Sequence, residues 1–281
     1  MNINHFGTLY VVATPIGNLQ DMSPRAIETL KSVDCIAAED TRHSAPLLQH
    51  FMINTKTIAL HEHNEREKTI NLLERLKQGQ SIALISDAGT PLINDPGYFL
   101  TREAQNAGIR IVPIPGPSVV IAALSVSGLP TDKFCYEGFL PAKSKHRLRE
   151  LELLRNETRT MVFYEAPHRV LESLQDMSQI FGAERQAVIA RELTKIYETI
   201  HSATFSELIE WVKNDENQQR GEIVLIVKGN ETVPTETDAI SIDHVLKTLL
   251  TDLPLKQAVE LASKITGKRK NEIYQKALLI R

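Results

Sequence analysis

The sequence predicts an α/β protein made of two successive α/β sets, closed by a small all-α block at the C-terminal end. Three observations carry this. Short apolar runs alternate with helical patterns as far as Lys228, the signature of strands interleaved with helices. A Gly/Pro/Asp break, Gly128–Lys133, interrupts the alternation near its middle and reads as a domain boundary. Beyond Gly229–Asp238, a Thr-, Glu- and Pro-rich stretch that reads as a linker, only helical patterns remain. The expected domains are 1–130, 131–230 and 241–281.

In the first set the strand-like runs are Thr8–Thr14, Asp34–Ala38, Lys56–Leu60, Ser81–Ser86 and Arg110–Pro113. Ser23 followed by Pro24 reads as the N-cap and first residue of a helix to about Ser32. Asn64–Lys77 repeats apolar residues at helical spacing and stops at Gly79; Asp95 and Pro96 open a further helix that ends at Gly108. This alternation argues for a mostly parallel sheet with helices on both faces. The second set follows as strand Phe134–Phe139, helix Lys143–Leu154, strand Thr160–Tyr164, helix Pro167–Phe181 and strand Gln186–Glu192. Strand Tyr197–Ser202, helix Phe205–Val212 and strand Gly221–Lys228 complete it. The last block reads as helix Leu255–Ile265, a Thr266–Gly267 turn and helix Lys268–Ile280, which fits a helix-turn-helix.

Composition narrows the function classes. Of 281 residues, 42% are apolar and 24% charged, ordinary values for a folded soluble chain. The longest apolar runs, Val119–Ser127 and Ile223–Val227, fall well short of the roughly 18 residues that span a membrane. Met1–Gly7 carries no Lys or Arg and Thr8–Ala13 soon meets Pro15, which reads as a buried strand rather than a signal peptide. Two widely separated cysteines, Cys35 and Cys135, exclude a disulfide framework and a thiolate zinc site and point to a reducing cytoplasm. Net charge is −3, unevenly spread: residues 241–281 hold eight basic against four acidic side chains, +4, which leaves −7 for the rest. A basic tail on an acidic body fits a polyanion partner, or else a solvated helical face.

Five segments could carry chemistry. Ala13–Asp21 follows the first strand, Ser86–Pro91 the fourth and Pro115–Ser118 the fifth. Ligands of open α/β sheets bind beyond the carboxyl ends of strands, so three such loops in one domain outline a cleft. The G-x-G-x-x-G and Walker patterns are absent, which argues against NAD and nucleoside triphosphates. Tyr164–Arg169 and Arg191–Lys195 end strands of the second set; their charges are either functional or a surface ion-pair network. His61-Glu62-His63 has no third ligand at a recognisable spacing, so no metal is expected; a polar loop is the better reading. No serine or cysteine stands in a nucleophile elbow.

The runs Thr8-Leu9-Tyr10-Val11-Val12-Ala13-Thr14-Pro15-Ile16-Gly17-Asn18-Leu19, Ala38-Glu39-Asp40-Thr41-Arg42, Ser86-Asp87-Ala88-Gly89-Thr90-Pro91, Pro115-Gly116-Pro117-Ser118 and Tyr164-Glu165-Ala166-Pro167-His168-Arg169 stand in an order that resembles the tetrapyrrole-methylase superfamily of S-adenosylmethionine methyltransferases. The resemblance runs from about Gly7 to the C-terminus. It implies two α/β domains with S-adenosylmethionine in the cleft between them, and a homodimer. The branch with a small C-terminal helical domain further implies 16S rRNA or the small ribosomal subunit as partner, and a 2′-O-methylated cytidine of the decoding centre as product. On the resemblance, Pro15, Asp87, Ala88, Gly89, Ser118, Val119, Glu165 and Leu193 contact the cofactor. Thr14 stands where the family has a glycine, and the proline of its Gly-Asp-Pro loop is displaced to Pro91.

A sulfonium is already an activated methyl donor, whereas a ribose 2′-hydroxyl needs a base or a cation that steadies the developing oxyanion. Glu192 is the candidate base, Lys195 and Arg191 the candidate cations. Arg42, Arg169 and the tail residues Lys268, Arg269 and Lys270 are candidates for RNA phosphates. Two rival readings remain at this stage: a small-molecule tetrapyrrole methyltransferase of the same fold, and a non-catalytic RNA-binding protein.

Overall fold

The computed structural model describes residues 6–231 and 242–280, arranged as two compact units, Met1–Lys228 and Gly229–Arg281. Most of the stretch read as a linker, residues 232–238, lies outside the described residues.

The first half of the larger unit is a five-stranded sheet. Its strands β1 (Thr8–Val12), β2 (Cys35–Ala38), β3 (Thr57–Ala59), β4 (Ile82–Ile85) and β5 (Arg110–Ile114) stand in the order β3-β2-β4-β1-β5. Every pairing is parallel, so every carboxyl end opens on one edge. Helices α1 (Pro24–Ser32), α2 (Thr41–His50), α3 (Glu65–Lys77) and α4 (Tyr98–Asn106) connect them. The strands are buried on both faces and alternate sides: Val12, Ala83 and Ile85 pack with Ala26, Leu30 and Leu48. Leu9, Ile82 and Leu84 pack with Leu72, Leu76 and Leu100. The period-two alternation of a strand explains this division. Ser23 caps α1 through the Ala26 N–H (3.1 Å) ahead of Pro24, as the sequence predicts.

Helix α5 (Val119–Val126) leads into the second sheet, whose strands are β6 (Phe134–Phe139), β7 (Thr160–Glu165), β8 (Gln186–Arg191), β9 (Thr199–Thr204) and β10 (Ile223–Val227). Their order is β6-β7-β10-β8-β9. Only β6 and β7 are parallel; β10 runs antiparallel between β7 and β8. Helices α6 (Ser144–Leu153), α7 (Val170–Phe181) and α8 (Phe205–Asn214) cover one face with Leu151, Leu174, Met177 and Phe205. The other face is covered by α5, whose Val120, Ala123 and Leu124 pack on Val162, Val188 and Val224. An element that ends the first half thus fills the core of the second.

The small unit holds α9 (Ile242–Asp252), α10 (Leu255–Thr266) and α11 (Lys270–Ile280) around Val245, Leu246, Val259, Ala262, Ile273 and Ala277. Gly267 ends α10 in the left-handed conformation, which suits glycine.

Several expectations are corrected. Helix α9 precedes the block that the sequence reading opens at Leu255, although Ile242, Val245, Leu246, Leu249 and Leu250 carry helical spacing. Strand β9 starts at Thr199 rather than Tyr197, because residues 192–198 turn back on themselves through the Lys195 and Glu198 amides. The helix read from Asp95 begins at Tyr98, and the one read from Lys268 begins at Lys270.

Candidate functional site

The parallel sheet delivers the loops after β1, β2, β4 and β5 to one edge, and they are tied together largely by backbone. Thr14 and Gly89 exchange N–H···O bonds (2.9 and 3.1 Å). The Thr90 hydroxyl donates to the Pro117 carbonyl at 3.0 Å. Gly116 lies so close to Ala13 that an added Cβ would stand 2.9 Å from the Ala13 Cβ. The Asp40 and Asp87 loops cap one another, the Asp40 N–H donating to Asp87 (3.2 Å) and the Asp87 N–H to Glu39 (3.3 Å).

A cleft of about 480 Å³ lies between this edge and the second sheet, a size that suits a small-molecule ligand. Ile16, Glu39, Asp87, Ala88, Ile93, Asn94, Asp95 and Val119 form one wall; Phe139, Tyr164, Glu165, Ala166, Pro167, Ala190, Leu193 and Gly221–Val224 form the other. Among the described residues no Lys, Arg or His lines it. Burial is the main cause that pushes Asp95 up to about 6, and the nearby Glu39 and Asp87 carboxylates add to it against the Ser86 hydroxyl. Burial raises Glu39 in the same way. Tyr164 stacks edge-on with Phe139 and Tyr136, and the Tyr136 hydroxyl crosses to Asn94 Oδ1 at 2.7 Å.

A second cleft of about 540 Å³ shares Ile16, Asp87, Ala88 and Glu222 with the first and is also lined by Pro15, Gly17, Arg42, His43, Ser44 and Lys195. The two adjoin at these residues, one apolar and acidic, the other bearing cations. Arg42 lies in the first turn of α2, its guanidinium forked onto Asp40 at 3.1 and 2.8 Å.

The structure brings together half of the candidate residues singled out by sequence and separates the others. Asp87, Ala88, Val119, Glu165 and Leu193 line the first cleft; Pro15, Arg42 and Lys195 line the second. Ser118 and Gly89 line neither, Ser118 preceding α5 and Gly89 pairing with Thr14 behind the wall. Arg191, a candidate cation, lies outside both clefts. Its buried guanidinium donates to Gln218 Oε1 (3.1 Å), the Tyr197 carbonyl (3.1 Å) and Thr199 Oγ1 (3.0 Å), and lines a separate surface pocket. Arg169, a candidate for RNA phosphate, is largely buried and paired with Glu165 at 3.1 Å. Glu165 also accepts from the Ala166 N–H (2.7 Å) and the Ser173 hydroxyl.

Glu192, the candidate base, lines neither cleft. Burial opposes its charge, but the Glu222 N–H and Lys195 prevail and hold its carboxyl below the ordinary range. His61-Glu62-His63 is an exposed turn outside both clefts, and among the described residues no group of three His, Cys, Asp or Glu side chains could hold a metal.

In the small unit, Lys270 pairs with Glu260 at 3.7 Å. Among the described residues Lys268 and Arg269 have no ion-pair partner there.

Residues 8–209 match the family model of Tetrapyrrole (Corrin/Porphyrin) Methylases. The chain belongs to the tetrapyrrole methylases. Residues 236–281 of this tetrapyrrole methylase match a second model, the RsmI C-terminal HTH domain. The Ribosomal RNA small subunit methyltransferase I of Escherichia coli O157:H7 is 55% identical over 98% of this chain and 96% of its own length. That of Pseudomonas aeruginosa is 57% identical over 97% of each. Within the tetrapyrrole methylases the chain thus belongs to the ribosomal RNA small subunit methyltransferase I family. Among solved structures, uroporphyrin-III-C-methyltransferase from Thermus thermophilus aligns with a TM-score of 0.57 at 16% identity, covering 79% of this chain and 94% of that one. Diphthine synthase aligns at 0.61 and 14%, covering 79% and 89%. These two likenesses show a shared fold.

Proposed function

We propose that this tetrapyrrole methylase transfers a methyl group from S-adenosylmethionine to the ribose 2′-oxygen of a decoding-centre cytidine in 16S rRNA. The observation that carries the reading is identity of 55–57% to ribosomal RNA small subunit methyltransferase I enzymes over nearly the whole chain, including the small helical unit.

The first cleft fits the cofactor. Its apolar wall with Phe139, Tyr164 and Leu193 suits an adenosine, and Glu39, Asp87 and Asp95 suit a ligand that carries a sulfonium and an ammonium. When bound, S-adenosylmethionine supplies an electrophilic methyl group. The tied loops hold the cofactor side rigid, which supports the in-line approach of oxygen to carbon at about 3 Å. The cations of the second cleft, Arg42 and Lys195, suit an RNA phosphate or a developing oxyanion.

We further propose domains 1–130, 131–230 and 241–281, a homodimer, a cytoplasmic location, and RNA docking by Arg269 and its neighbours Lys268 and Lys270. Among the described residues no helix is long and apolar enough to cross a membrane.

Mass spectrometry of nuclease-digested 16S rRNA from cells with and without the protein tests the reading. One 2′-O-methylcytidine should vanish without it. An unchanged set of modified nucleosides contradicts it.

A further inference from the structure

The two clefts meet at a seam of four residues, and only two of these, Asp87 and Glu222, are ionisable. Glu222 is placed there by sheet topology. Because β10 runs antiparallel between β7 and β8, with Ile223 opposite both Glu165 and Arg191, its amino end lies at the edge where those strands end. The Glu222 side chain is 71% exposed and its carboxylate lies 3.2 Å from Lys195 Nζ.

Glu192 holds the Glu222 backbone and shares Lys195 with its carboxylate. The Glu192 N–H donates to the Glu222 carbonyl (2.9 Å), and Glu192 Oε1 accepts both the Glu222 N–H (2.8 Å) and Lys195 Nζ (2.9 Å). That arrangement needs a left-handed backbone at Glu192, φ 51°, an unfavourable state for a non-glycine residue that persists where the surroundings enforce it. It also needs Gly221, because a Cβ there would stand 2.5 Å from the Glu192 carboxyl carbon.

Resting on the methyl-transfer reading above, we infer that Glu222 is the catalytic base, with Lys195 beside it and Glu192 as a positioning residue. The Glu222 carboxylate takes the proton of the ribose 2′-hydroxyl as the oxygen's electron pair forms the new O–C bond. The pair of the breaking C–S bond stays on sulfur, leaving a neutral thioether, and the proton leaves Glu222 to solvent at its exposed face. Lys195 pairs with the carboxylate and steadies charge that develops on the oxygen.

Full-length Glu222→Gln tests this, with 16S rRNA or small subunits from cells lacking the protein as substrate. Turnover should fall by roughly 10²–10⁴-fold, with KM for RNA, S-adenosylmethionine affinity by calorimetry and melting temperature close to those of the parent protein. Glu222→Asp keeps the carboxylate and should recover part of the turnover. Glu192→Gln should lower turnover less than Glu222→Gln. Parental turnover in Glu222→Gln overturns the inference. So does a loss explained wholly by weaker cofactor or RNA binding, or a Glu222→Asp protein no better than Glu222→Gln. Absence of methyl transfer by the parent protein counts instead against the function on which the inference rests.

Discussion

The two halves of the larger unit build their walls of the cleft by different means. In the first half, parallel strands deliver every carboxyl end to one edge, and rigid Pro- and Gly-containing loops are tied by the Thr14–Gly89 and Thr90–Pro117 bonds. In the second half a mixed sheet brings side chains together: Glu165 with Arg169 and Ser173, Arg191 with Gln218 and Thr199, Glu192 with Lys195 and Glu222. Backbone ties make a stiff holder that side-chain exchange barely affects. Side-chain networks place charge at chosen points, and each member matters. The two halves therefore tolerate change differently.

The largest effect is expected at Glu165. Glu165→Ala strips a buried arginine of its charge partner and leaves the Ser173 hydroxyl and Ala166 N–H without an acceptor. Loss of one partner of a buried pair costs roughly 3–5 kcal/mol, measurable by urea unfolding. A loss below about 1 kcal/mol would dissolve the contrast between the halves.

Arg191→Met comes next. It leaves the buried Gln218 Oε1 and the part-buried Tyr197 carbonyl and Thr199 hydroxyl without that donor and should cost about 2–3 kcal/mol, while the folded protein keeps its methyl-transfer rate. A protein of parental stability with no turnover would return Arg191 to the chemistry.

Asp95 supplies a pH test on the first wall. Its carboxyl is raised from 3.8 to about 6, so the folded state holds its proton more tightly than the unfolded chain does. The stability this contributes is complete below about pH 4 and is lost as pH rises through about 6. Asp95→Asn removes that dependence, so the variant should gain on the parent protein between pH 4 and pH 7 in unfolding measurements. A pH-independent difference would contradict the raised value.

The smallest effect should be Thr90→Val, which removes one hydroxyl bond from loops that keep their backbone ties. A cost near 1 kcal/mol is expected; several kcal/mol would show that the first wall also hangs on single side chains.

Much of this was legible in the sequence, for a physical reason. Parallel strands followed by Gly/Pro loops mark their own carboxyl ends, so Asp87, Val119 and Pro15 could be placed before any coordinates. Glu165 and Leu193 ended strands in the same way. Glu222 could not be found thus, because it precedes its strand and reaches the edge only through the antiparallel insertion of β10. Asp95 carried no local signal as a cleft residue, since it reads as a helix start; convergence of the loops puts it beside Glu39 and Asp87. Arg191 and Glu192 illustrate the reverse. Strand alternation splits them onto two faces but cannot tell which acceptors wait there, and the left-handed turn at Glu192 and Thr194 breaks the alternation just where the chemistry was expected.

The central claim is that one continuous seam joins a cofactor cleft to a substrate cleft. A crystal structure with S-adenosylmethionine bound tests it most directly. The ligand should lie between the two sheets against Asp87, Ala88, Val119 and Leu193, with its sulfonium methyl directed toward the seam at Glu222. A cofactor bound outside this cleft, or one whose methyl group points away from the seam, would contradict the account.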